Sequence, residues 1–142
     1  MKRLLMLATL LVGSQAVAAD PVPKGITGVW MNPYSSVAVE IAPCADKVCG
    51  RVVWANKDAM DDAREAGVDK LIGTELLEDY TSNGGGAWKG SVYVPDMRGH
   101  FSSTIKAEGP GSLKISGCLL GGFICKSQIW QRSSGQPGGL MP

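Results

Sequence analysis

Four cysteines, one histidine and a scatter of carboxylates are the side chains through which this 142-residue chain could do chemistry. The cysteines, Cys44, Cys49, Cys118 and Cys125, fall in two close pairs. Neither pair has the two-residue spacing of a redox motif. A four-thiolate zinc site wants about two to four residues inside each pair, and the stretch Leu119–Ile124 is too long for that. His100 is the single histidine, so a zinc site with two or more histidine ligands is excluded. Asp58–Asp69 lacks the alternating oxygen ligands of a calcium loop. No metal site and no cofactor are therefore expected.

Catalytic patterns fare no better. A nucleophile elbow, Gly-x-Ser-x-Gly, does not occur. Ser103-Thr104-Ile105-Lys106 matches Ser-x-x-Lys, but that motif needs a helix to bring lysine one turn from serine. Here it lies in an alternating strand pattern. His100 has no identifiable partner, and a lone histidine at a strand start reads as a surface or packing residue. Glu75, Glu78, Asp79 and Asp96 could pair as glycosidase carboxylates, yet nothing in the sequence sets two of them across a cleft. Gly84, Gly86 and Gly90 resemble a phosphate loop only loosely, and they lead into no helix. The expectation is a protein that is not an enzyme.

The N-terminus reads as an address. Lys2 and Arg3 precede an apolar run from Leu4 to Val12, and Ala16-Val17-Ala18 supplies the small residues of a signal-peptidase site. The run is shorter than the roughly 20 residues of a bilayer span. Residues 1–18 are expected to be a cleaved signal peptide, with Ala19 an alternative cleavage point. Cleavage removes two of the fourteen basic residues and leaves twelve against thirteen acidic ones. So balanced a charge offers no reason to expect nucleic-acid binding. No later stretch is long enough for a membrane span, and the expected location is periplasmic or secreted. Four cysteines in a small exported domain favour two disulfides. Three connectivities exist. Each close pair brackets a short turn, which suggests Cys44–Cys49 and Cys118–Cys125 if those turns join antiparallel strands.

The elements that must carry these residues are mostly strands. Nineteen glycines, nearly twice the usual share of about 7%, and eight prolines argue for many turns rather than a helical bundle. Strands are expected at Gly28–Trp30, Val37–Ile41, Val48–Ala55, Ile72–Thr81, Trp88–Val94, His100–Ala107, Leu113–Ser116 and Ile124–Arg132. Asn56–Gly67 is rich in alanine and acids and predicts one short helix, capped by Asn56 or Asp58 and ended by Gly67. Ser133–Pro142 reads as a flexible tail. About eight evenly spaced strands make an all-β fold, expected as a small closed antiparallel up-and-down barrel, with an open sandwich the alternative.

Alternation puts Val37, Val39 and Ile41 on one strand face, Val52 and Trp54 on another, and Leu113 with Ile115 on a third. On the strand from Trp88, either Trp88, Val92 and Val94 face inward, or Tyr93 does with Ser91. The candidate ligand-binding residues are Val39, Ile41, Val52, Trp54, Tyr93 and Ile115. In a closed barrel the first and last strands are neighbours. Trp30 could then stack under Arg132, or each could be an ordinary core aromatic and a surface charge; spacing does not choose.

Several blocks occur together. They include Gly28-Val29-Trp30, Val39-Glu40-Ile41-Ala42-Pro43-Cys44, Val48-Cys49-Gly50-Arg51-Val52-Val53-Trp54 and Leu71-Ile72-Gly73. Trp88-Lys89-Gly90, Leu113-Lys114-Ile115-Ser116-Gly117-Cys118 and Gln128-Ile129-Trp130-Gln131-Arg132 follow in order. Over residues 26–132 the chain resembles a bacterial exported family known as domain of unknown function 2147. The block "Glu-Ile-x-Pro-Cys … Cys-Gly-Arg" is its specific part. The resemblance implies a lipocalin-like barrel whose first strand carries Gly-x-Trp, here Gly28 and Trp30, and whose closing arginine is Arg132. Two departures stand out. Tyr93-Val94-Pro95 replaces the family's Tyr-Asp-Pro, and the loop Asn56–Lys70 lacks its usual aspartate and asparagine arrangement. The functional expectation is an exported binding protein with a small apolar or amphipathic molecule in the barrel. The alternative is a cell-envelope interaction or structural module whose barrel is filled and which contacts an envelope protein.

Overall fold

The structure, a computed structural model, describes residues 12–13, 25–119 and 124–133. The expected leader, apart from Val12 and Gly13, lies outside the described residues, as do the tip 120–123 and the tail 134–142. The strands are β1 (Gly28–Met31), β2 (Val37–Cys44), β3 (Lys47–Ala55), β4 (Glu75–Ser82), β5 (Ala87–Val94), β6 (Gly99–Ala107), β7 (Ser112–Leu119) and β8 (Ile124–Arg132). One helix, α1 (Lys57–Glu65), follows β3, and a 3-10 turn at Pro95–Met97 follows β5. Each strand pairs antiparallel with the next, and β8 returns to β1, closing an up-and-down barrel. The β2–β3, β4–β5 and β6–β7 turns therefore share one end. The other four connections, α1 among them, share the opposite end, the mouth.

Local chemistry explains the boundaries. The Asn32 carboxamide accepts from the backbone N–H of Ser36 and Val37 and so closes the β1–β2 turn. Asn56 caps α1 by accepting from Ala59 N–H at 2.8 Å. Gly67, at φ +91°, stands just past its end. The helix buries Ala63 and packs Ala59 and Met60 on the barrel core. The fourth strand begins at Glu75, later than the expected Ile72. Gly73, at φ +94°, turns the chain there, while Gly73 N–H and Thr74 C=O bond Val52 across the gap.

The core runs from the closed end along the β2–β4 side to Ala55, Ala63 and Leu71 beneath α1. Trp30, Val39, Ile41, Val52, Leu77, Tyr80, Ile105 and Leu113 are buried together there. The indole N–H of Trp30 donates to Ile26 C=O at 2.8 Å. Arg132 covers this end, its guanidinium 4.2 Å from the Trp30 ring centroid. That group also donates to Thr27 C=O at 2.8 Å, Gly25 C=O at 3.2 Å and Pro110 C=O at 2.9 Å. Of the two readings that spacing left open, the stacked closure is the one the fold adopts.

One expected face is overturned. Val39 pairs with Val52 and Val37 with Ala55, all inward. Ala38 pairs with Trp54, so Trp54 points outward, opposite to Val52. The cause is a bulge in β3, where one extra residue on this strand breaks the alternation between Val52 and Trp54. On the outer face Ala38 is fully buried, and its cross-strand neighbours are Met31 and the half-buried Trp54.

Candidate functional site: a cavity at the barrel mouth

On the β5–β8 side of the mouth the inner face is not filled. Along β7 the inward positions are Leu113, Ile115, Gly117 and Leu119. Leu113 is fully buried, whereas Gly117 offers no side chain at all. Val92 on β5 pairs with Phe101 on β6, and Leu119 with Ile124 on β8. Between these residues lies an apolar cavity of about 200 Å³. Val92, Val94, Phe101, Ile115, Leu119 and Ile124 form most of its wall.

The seam of the barrel opens this cavity sideways. β1 has four residues and meets β8 only through Trp30–Arg132 and Met31–Gln131. Among the described residues, Ile124–Trp130 therefore pairs with β7 alone. Ile124, Lys126 and Gln128 face the cavity and are nonetheless exposed. Lys126 is the one charged side chain on the cavity wall among the described residues, and no carboxylate lines it. The Gln128 carboxamide oxygen accepts from the Trp130 indole N–H at 2.9 Å.

Two hydroxyls lie buried below. Tyr80 is fully buried with its ring against Gly90, where a β-carbon would come within 2.7 Å of the ring. Ser103, inward on β6 between Gly90 and Gly117 in register, is 3% exposed. Neither hydroxyl has a hydrogen-bond partner among the described residues. Burial pushes the Tyr80 phenol well above its ordinary range, and the facing Ser103 hydroxyl opposes this only in part.

A second hollow at the mouth, about 410 Å³, lies between the β1–β2 turn, α1 and the 3-10 turn. Asn32, Asn56, Asp58, Asp62 and Asp96 make it polar. Among the described residues no group of three or more histidines, cysteines and carboxylates is placed to hold a metal ion.

The structure sorts the six candidate ligand residues. Ile115 lines the cavity. Val39, Ile41 and Val52 face inward but lie in the packed core, at most 1% exposed. Trp54 is outside, as the bulge requires. Tyr93 is also outside, because Val92 and Val94 take the inward positions of β5. Its ring stacks on His100 at 4.8 Å, and His100 Nδ1 lies 3.0 Å from a Glu78 carboxylate oxygen. Phe101, Leu119, Lys126 and Gln128 were missed. Continuing the alternation from Ile115 would have found Leu119. Lys126 and Gln128 were hidden because polar residues on an inward face make sense only beside an open seam.

Both disulfides are local. Cys44–Cys49 closes the β2–β3 turn, with Cα atoms 5.8 Å apart. Cys118–Cys125 ties β7 to β8 directly across the ladder, with Cα atoms 4.0 Å apart. It lies on the outer face, one step from the inward pair Gly117–Lys126. Such bonds suit an oxidising, exported environment. No helix among the described residues is long and apolar enough to cross a membrane.

An eight-stranded up-and-down barrel, packed through its core and hollow at the mouth on the β5–β8 side, defines a lipocalin-like β-barrel protein. Residues 28–132 match the family model described as "Uncharacterized protein conserved in bacteria (DUF2147)", and the chain belongs to that family. Among solved structures it is similar to one titled "Protein HP1028 from the human pathogen Helicobacter pylori belongs to the lipocalin family". The likeness has a TM-score of 0.59 at 17% identity and covers 76% of this chain and 82% of that one. No curated protein matches the chain.

Proposed function

We propose that this protein is an exported binding protein that takes a small apolar or amphipathic molecule into the mouth cavity. The observation that carries this reading is the apolar hollow of about 200 Å³ on the β5–β8 side of a barrel that is otherwise packed. An eight-stranded barrel is just wide enough to hold one small ligand. The lipocalin family named for the structural neighbour is consistent with this. The hollow is smaller than the roughly 300–1,000 Å³ of drug-sized sites, so it suits a short chain or the end of a longer one. Burying about 150 Å² of apolar ligand surface contributes about 4 kcal/mol, which alone is millimolar affinity. Polar contacts at the wall must supply the rest. The role is binding rather than catalysis, in the periplasm or outside the cell.

Titration of the exported protein with decanol, followed by calorimetry and by amide chemical shifts, tests this. Saturable one-to-one binding is expected, with shifts clustered at Val92, Phe101, Ile115 and Leu119. Gly117→Leu, which fills the hollow, should abolish it without unfolding the domain. Failure to bind decanol, acyl chains, isoprenoids or haem-like molecules would favour the interaction-module reading. That second reading draws on the outward-facing Ile129, 43% exposed along the part of β8 that β1 does not cover.

A further inference from the structure

We propose that the cavity selects an anionic single-chain amphiphile, its head held by Lys126 and Gln128 and its chain directed toward Val92, Phe101 and Leu119. This rests on the binding reading above and names its ligand class. Inward positions on β8 run Ile124, Lys126, Gln128, Trp130 from the mouth to the floor. Lys126 takes part in none of the ion pairs among the described residues, and no carboxylate shares its cavity. Its charge is available to a ligand.

Gln128 is oriented by its neighbour. An indole N–H can only donate, so the carboxamide oxygen must be the atom that faces Trp130. The amide NH₂ is turned away from Trp130, with two donors to offer. Lys126 adds three more donors and a positive charge. The two side chains thus present donors and charge without a competing acid. A hydroxyl head would gain hydrogen bonds but no ion pairing, a cationic head would be repelled, and a carboxylate or phosphate would gain both charge-assisted hydrogen bonds and the Lys126 charge. Both residues are exposed through the open seam, so an anion held there keeps part of its hydration and avoids the large penalty of full burial. Val92, Phe101 and Leu119, on β5 to β7, bring no polar side chain to the cavity and suit the alkyl chain. The Cys118–Cys125 bond fixes the β7–β8 backbone one residue from Lys126, from which its side chain projects toward the cavity.

The test uses the exported protein with both disulfides intact and four probes of matched chain length: decanoate, decyl phosphate, decanol and decyltrimethylammonium. Calorimetric affinities are measured near neutral pH for the wild type and for Lys126→Gln, Lys126→Glu and Gln128→Leu. Decanoate or decyl phosphate should bind about tenfold or more tightly than decanol, the size of one charge-assisted hydrogen bond. The better of the two identifies the head group. Lys126→Gln should remove that advantage while weakening decanol far less than either anion, and Lys126→Glu should transfer the preference to decyltrimethylammonium. Gln128→Leu should weaken the anions more than decanol. Equal binding of decanol and both anions, or equal weakening of all probes by Lys126→Gln, would overturn the proposal while leaving the cavity a binding site. Failure of every probe to bind would remove the binding reading as well.

Discussion

A β-carbon on Gly28 would lie 2.5 Å from a guanidinium nitrogen of Arg132. The closing arginine therefore needs the glycine two residues before the tryptophan it covers. Gly28 also sits at φ +124°, where a side chain is strained in any surroundings. Arg132→Ala should cost about 1–3 kcal/mol through lost stacking and an uncovered barrel end. Gly28→Ala should cost about 2–4 kcal/mol, and in an Arg132→Ala background only the backbone strain of about 1–3 kcal/mol should remain. Urea unfolding of the four proteins measures the coupling; strictly additive costs would show that the two residues do not share the space.

Tyr80 makes stability depend on alkaline pH. Its phenol is held protonated in the folded state beyond the ordinary ionisation near pH 10. The folded chain then binds more protons than the unfolded one. The contribution is complete below about pH 10 and is lost above it at about 1.4 kcal/mol per pH unit. Tyr80→Phe should flatten that slope in chemical unfolding series. Near neutral pH it should be neutral or slightly stabilising, since the hydroxyl it deletes has no partner. An equally steep alkaline loss in Tyr80→Phe would assign the slope to other groups.

Trp54 separates packing from binding. Because it points outward beside Ala38, Trp54→Ala should leave decanol affinity unchanged. It should still cost about 1–2 kcal/mol by uncovering apolar surface. Fluorescence-detected unfolding and calorimetry on the same variant decide this. Loss of binding at unchanged stability would return Trp54 to the ligand.

Each disulfide closes a short loop, so each should contribute about 2–2.5 kcal/mol. Cys44→Ser with Cys49→Ser, and Cys118→Ser with Cys125→Ser, should both still fold. Peptide mapping without reduction should find only the two local bonds. A peptide linking the first half of the chain to the second would contradict the ladder pairing of Cys118 with Cys125.

Local patterns carried much of the fold into view. Period-two alternation, turn residues and the Asn56 cap act over a few neighbours, so the strands, α1 and the two short disulfide loops could be read from the chain. The positions of Val39, Ile41, Val52 and Ile115 on inward faces followed from the same rule. What alternation could not report was a break in itself. One extra residue in β3 sends Trp54 outward, and no sequence signal marks that bulge. Nor could inwardness distinguish the packed core from the hollow. That depends on how far side chains from opposite strands reach, on Gly117 lacking one, and on β1 ending after four residues. The barrel class was thus written in local preferences, while the place of the cavity and the donors on its wall arose only when all eight strands met.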